Sequence, residues 1–75
     1  MIVFSVNCGH FRSFKEAFDF RKRKMSSQGA IFAYDDGYTV KVLTTFRQKE
    51  AETVRNRLSH LDSWIGEKDT STGGK

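Results

Sequence analysis

The stretch Ala30-Ile31-Phe32-Ala33-Tyr34-Asp35-Asp36-Gly37-Tyr38-Thr39-Val40-Lys41-Val42-Leu43-Thr44 decides the fold. Two runs rich in aromatic and β-branched residues flank Asp36-Gly37, and Asp-Gly between such runs is the strongest short-range hairpin signal. With Asp36-Gly37 as a two-residue loop, Asp35 opposes Tyr38, Ala33 opposes Val40 and Ile31 opposes Val42. Ile31, Ala33, Val40 and Val42 then face the core. Phe32, Tyr34, Thr39, Lys41 and Leu43 face the other way. Asp35 and Asp36 read as turn chemistry rather than as a pair of catalytic carboxylates.

Working outward, Ile2, Phe4, Val6 and Cys8 alternate with Val3, Ser5 and Asn7, the period of a half-buried strand that Gly9 ends. Ser13 followed by Glu16 is a capping box, and Phe14, Ala17, Phe18 and Met25 share a helical face, so a helix is expected from about Phe14 to Ser27. Gln28-Gly29 stops it. Thr45 with Gln48 repeats the capping logic, and Ala51, Val54, Leu58, Leu61 and Ile65 form a stripe that carries a second helix as far as Gly66. The fold class expected is α+β: a βαββα sandwich with a three-stranded antiparallel sheet and both helices on one face. Residues 62–67 either finish the second helix or start a short fourth strand. Residues 1–66 form one binding domain, and the polar, Gly-rich residues 67–75 read as a disordered tail.

Seventy-five residues leave room for one small core and exclude a two-domain enzyme. One cysteine excludes an internal disulfide, and the scarcity of Cys and His excludes a typical structural zinc site, so neither a metal nor a cofactor is expected. No run is long enough for a membrane span and the start lacks a signal-peptide pattern, so the chain as written is expected in the cytoplasm. The net charge of +4 is confined to one segment. Arg12, Lys15, Arg21, Lys22, Arg23 and Lys24 stand against Glu16 and Asp19, while the remaining seven basic and seven acidic residues cancel. Such a patch is either a solvated helix end or an attractor for a polyanion or an acidic protein face. Arg12, Arg21, Lys22, Arg23 and Lys24 are its candidate contacts.

Individual residues sort by chemistry. Cys8 points inward with Val6 and reads as a buried structural thiol, and His10 in the following turn as a surface or ligand-facing residue. His60 falls on the far side of the second helix and is expected to be exposed. Arg21 lies within the stripe of Phe14, Phe18 and Met25; either its stem snorkels to water or it pairs with a carboxylate across an interface. Trp64, near the end of the second helix, is a core-edge anchor or a partner hot spot. Phe32, Tyr34 and Lys41 on an open face, with Asn7 and Thr39 nearby, suit stacking on sugars or bases. They are otherwise covered by another chain or element. RNA-recognition modules place stacking aromatics on their first and third strands, where this chain offers Val3, Ser5, Asn7, Thr39 and Lys41 instead.

An internal repeat adds to this reading. Phe11-Arg12-Ser13-Phe14-Lys15-Glu16-Ala17, followed by Arg21 and Arg23, aligns with Phe46-Arg47-Gln48-Lys49-Glu50-Ala51, followed by Arg55 and Arg57, when one residue is dropped. A duplicated strand-helix-strand is how ferredoxin-like sheets are assembled. A strand entering Gly9-His10-Phe11, a capped helix with Glu16-Ala17, Gly29, then Gly37-Tyr38-Thr39-Val40-Lys41-Val42 and a helix opening Lys49-Glu50-Ala51-Glu52 together resemble the SPOR (sporulation-related repeat) domain, from about Val3 to Leu61. The resemblance implies a non-catalytic module that binds peptidoglycan glycan strands through its open sheet face. Asn7 and His10 stand where that family has polar residues, and the domain would act in the cell envelope. The alternative is a small cytosolic inhibitor or adaptor that engages a host protein or nucleic acid through the basic first helix or an exposed strand. With only three strands, the first is an edge, and a homodimer through Ile2 to Cys8 follows.

Overall fold

The computed structural model describes residues 1–69. In chain order they form β1 (Ile2–Phe11), α1 (Phe14–Lys24), β2 (Ala30–Tyr34), β3 (Gly37–Thr45), α2 (Gln48–Arg57), a single 3-10 turn (Ser59–Leu61) and β4 (Ser63–Asp69). The architecture is α+β, with two helices and an antiparallel sheet of order β2-β3-β1-β4. The sheet has four strands rather than the expected three. β1 is therefore central, flanked by β3 and β4, and offers no edge for a dimer through Ile2 to Cys8. Residues 67–69, expected in a tail, belong to β4. The rest of that expected tail, 70–75, lies outside the described residues.

The fourth strand arises where the helical stripe was expected to continue. α2 ends at Arg57, and Asp62 adopts a left-handed conformation (φ 57°, ψ 48°) that no helix can propagate. Beyond it Ile65 lies across from Val6 and packs into the core, while Trp64 lies across from Asn7 and Gly66 from Ser5 on the opposite face. The step from Leu61 to Ile65 fits a helical period, but residues 63–66 also alternate with period two, and the left-handed Asp62 selects the strand. Ser63 Oγ anchors the new strand by donating to the Arg55 carbonyl at 2.7 Å.

The hairpin forms with its loop one residue early. Tyr34 opposes Gly37, Ala33 opposes Tyr38 and Ile31 opposes Val40, so Asp35-Asp36 make the turn, Asp35 taking φ 45°. Each β2 residue thus meets a partner two positions earlier than expected. A shift of two preserves the faces, because side chains alternate with period two. β3 then breaks that alternation: Val6 opposes Leu43 but Asn7 opposes Lys41, leaving Val42 as the extra residue of a bulge. Val42 and Leu43 both pack against the core in consequence, which corrects the placement of Leu43 on the open face.

Both helices cover the same side of the sheet. Ala51 of α2 is buried with Phe4 and Val6, and Val54 packs beside them. Met25, just past the end of α1, is buried with Cys8 and Val40, joined by Phe11 and Phe20. The core face of α1 is thus Ala17, Phe20 and Met25; Phe14 and Phe18, expected in it, are 55% and 42% exposed. α1 is also three residues shorter than expected, because Ser26 and Ser27 both take positive φ. Ser13 caps its start, with the Glu16 amide donating to Ser13 Oγ at 3.2 Å, but the Glu16 carboxylate accepts from the Arg12 amide rather than closing the box on Ser13. α2 has no side-chain cap of that kind: Thr45 Oγ1 instead donates to Glu50 and accepts from the Arg47 amide.

Candidate functional site

The side of the sheet that carries no helix is built by the two irregularities of β1 and β3. Gly9, expected to end the first strand, is a bulge within it, with φ 78°, and the ladder skips from Cys8 opposite Val40 to Phe11 opposite Tyr38. A Cβ at Gly9 would lie 2.5 Å from the Phe11 ring, so the position combines a conformation and a clearance that only glycine meets. The extra residue lets Cys8 and Phe11 both face the core and turns His10 onto the open face. Thr39, 2% exposed, pins the bulge: its Oγ1 lies 2.8 Å from the Gly9 carbonyl and 3.2 Å from that of Cys8.

His10 then meets Tyr34 of β2 and Trp64 of β4 across the sheet. The imidazole stacks on the indole with ring centres 5.1 Å apart and planes 10° from parallel, and Tyr34 stands at 5.7 Å from both rings. His10 Nδ1 is hydrogen-bonded to the Tyr34 hydroxyl, and Trp64 Nε1 donates to the Gly9 carbonyl at 3.3 Å. Burial, then the carboxylates of Asp35, Asp36 and Asp62, push the Tyr34 phenol up from its ordinary value, so it stays neutral. The result is an aromatic wall locked by polar contacts at its tips.

Beside the wall runs a groove of about 240 Å³ whose floor is Ser5, Asn7 and Gly66 and whose sides include Phe32, Lys41 and Lys68. Gly66 contributes no side chain, and Ser5 Oγ and the Trp64 ring close over it, 3.1 and 3.4 Å from where a Cβ would stand. Asn7 is 2% exposed and its Nδ2 donates to the Ser5 carbonyl and hydroxyl at 3.3 and 3.2 Å. The Lys41 ammonium sits 3.9 Å from the centre of the Phe32 ring, a cation-π pair that holds both side chains in place.

The six residues expected on this face, Asn7, His10, Phe32, Tyr34, Thr39 and Lys41, do share it. Two of them have another task than direct contact. The Thr39 proton is used by the bulge and the Asn7 amide by Ser5, so both shape the floor. Trp64, expected at a helix end, belongs to the wall instead; Ser5 lies on this face as the alternation of the first strand implies, and Gly66 and Lys68 are the lining residues that sequence reasoning missed. The alternation of Trp64 and Gly66 with Ser63 and Ile65 was the available signal.

The basic residues lie elsewhere. Arg12 precedes the N-cap of α1, and Lys22, Arg23 and Lys24 occupy its exposed last turn, where positive charge complements the helix dipole. Arg21 forms no ion pair among the described residues; its Nε donates to the Gly29 carbonyl at 2.9 Å and ties the helix to the start of β2. Cys8 is buried as expected, its thiol pushed up by burial and by Asp62, and no group of three or more His, Cys, Asp or Glu able to hold a metal ion occurs among the described residues. None of the described helices is long and apolar enough to cross a membrane. Compared with known proteins, the chain matches no family model, no curated protein and no solved structure.

Proposed function

We propose that this chain is a non-catalytic glycan-binding module of ferredoxin-like, SPOR-like arrangement, binding a glycan strand through its open sheet face in the cell envelope. The observation that carries the reading is the wall of His10, Tyr34 and Trp64 beside a groove with a small polar floor. Sugar rings present apolar C–H faces and a rim of hydroxyls, so they bind where a rigid aromatic surface adjoins hydrogen-bonding groups. Here the rings are held by contacts to one another, which lowers the entropic cost of ordering them on binding. The order of elements and of strands, with both helices on one side, also supports the resemblance to SPOR domains. A catalytic role finds no support in the thiol of Cys8, which burial keeps protonated and inward.

The test is co-sedimentation with amidase-treated peptidoglycan at low and high salt. The wild-type protein is expected to pellet at both, and Trp64→Ala to remain in the supernatant while keeping its far-ultraviolet dichroism. Pelleting that salt abolishes, or that the variant retains, refutes the open-face reading. A second reading, polyanion or partner binding by the basic helix, draws on one specific observation. Lys22, Arg23 and Lys24 are exposed and form no ion pair among the described residues, unlike Lys15, which pairs with Asp19 at 3.3 Å. Binding to nucleic acid by that route would fall steeply with salt.

A further inference from the structure

We propose that the edge of β2, together with the exposed aromatic flank of α1, is a docking site for an extended acidic peptide that adds to the sheet as a fifth strand. The argument does not depend on the glycan reading. It begins with the position of α1. Phe14 meets Tyr38 edge-on at 6.0 Å, and Arg21 bonds the Gly29 carbonyl just before β2, so the helix runs antiparallel to β2 between these two anchors. Phe20, on another side of the helix, reaches Phe11 of β1. Phe14 and Phe18 therefore lie on the flank of α1 away from Phe20, on the side of β3 and β2. They stack on each other at 6.3 Å and are 55% and 42% exposed. Two exposed rings on that flank are apolar surface that the chain's own strands leave uncovered.

That last strand is open. Among the described residues β2 pairs only with β3, and its sequence, Ala-Ile-Phe-Ala-Tyr, has no charge and no proline to discourage pairing. The opposite edge differs, since β4 ends in Glu67, Lys68 and Asp69. An incoming strand would complete the free backbone hydrogen bonds of β2 and bring alternate side chains under Phe14 and Phe18. Charge selects its chemistry. Arg12 lies two residues before Phe14, and Lys22 one turn after Phe18 on the solvent side, both exposed. The partner is an extended segment with apolar residues alternating with Asp or Glu. A second copy of this chain would bring two basic helices together and is disfavoured on the same ground.

The probe is a synthetic heptapeptide, Glu-Val-Glu-Phe-Glu-Val-Glu with blocked ends, against the same peptide with Lys in place of Glu. Binding is read from amide shifts and hydrogen exchange in the full chain. The expected result is affinity in the range of about 10–1,000 μM for the acidic peptide, with new protection confined to residues 30–34. Phe14→Ala/Phe18→Ala, which removes exposed rings, and Lys22→Glu, which leaves the rings in place, are each expected to weaken it about tenfold. Equal binding of the basic peptide, protection on β4 or on the open face, or no binding at millimolar peptide overturns the proposal. So does a dimer in sedimentation whose protected strand is β2.

Discussion

At the scale of single residues, much of the site depends on where one amino acid interrupts a pattern. Gly9 is the clearest case, because its bulge alone brings His10 to the open face. Gly9→Ala places a Cβ in the Phe11 ring and a side chain at positive φ, the latter costing about 1–2 kcal/mol before any clash. Chemical denaturation is expected to show a loss of at least that size. Cys8 gives a prediction in pH. Its buried thiol resists ionisation, so above about pH 8.5 the unfolded chain releases a proton that the folded one retains. The folded thiol pKa is the higher one, and its stabilising contribution is lost as pH rises. Denaturation midpoints are expected to fall between about pH 8 and pH 10 more steeply in the wild-type protein than in Cys8→Ala. The roles of Asn7, Tyr34 and Lys41 as open-face residues were legible from alternation, whereas strict alternation would put His10 with Cys8 and only the bulge turns it outward. That Asn7 and Thr39 spend their donors inside the protein was not, since hydrogen bonds to Ser5, Cys8 and Gly9 depend on where the bulges fall.

At the scale of elements, the hairpin and the start of α1 follow from local chemistry, whereas the ends of both helices do not. α1 stops at two successive serines in the left-handed region, Ser26 at φ 51° and Ser27 at φ 62°, with the Ser27 amide donating to the Arg21 carbonyl at 3.0 Å. Ser27→Gly removes a steric penalty of about 1 kcal/mol and is expected to raise the melting temperature by a few degrees, measured by dichroism. The stripe of α1 was misread for a related reason. Phe14, Phe18 and Met25 do share a helical face, but the helix is rotated so that Ala17 and Phe20 occupy the centre of the interface. A small residue permits the closest approach of helix to sheet, and Ala17 and Ala51 hold equivalent places in the repeat, each the buried residue of its helix. Apolar spacing located the helix; it did not say which part of the apolar arc would be covered.

At the scale of the whole molecule, β4 changes the character of the protein. It covers the second edge of β1, places Ile65 against Val6 and supplies Trp64 to the open face. A chain ending at Asp62 would leave the central strand exposed and remove part of the smallest core that a domain of this size can hold. Such a truncation is expected to lose cooperative unfolding, followed by dichroism on heating. The single residue change Trp64→Ala is expected to keep it.

The alternation of Ile2 to Cys8, the Asp-Gly between two aromatic runs and the Ser13-Glu16 cap are local codes, readable because they act over a few residues. They determined the strand-helix-strand-strand-helix order, the separation of a core face from an open one and the concentration of charge on α1. The fourth strand, the bulges at Gly9 and Val42 and the aromatic wall were decided by tertiary structure. Residues 63–66 satisfy both a helical and a strand period, and only pairing with β1, 55 to 61 residues earlier in the chain, tips the balance. A bulge likewise exists only between two strands. Each of these choices is made by contacts distant along the chain, and no single stretch of sequence contains both partners.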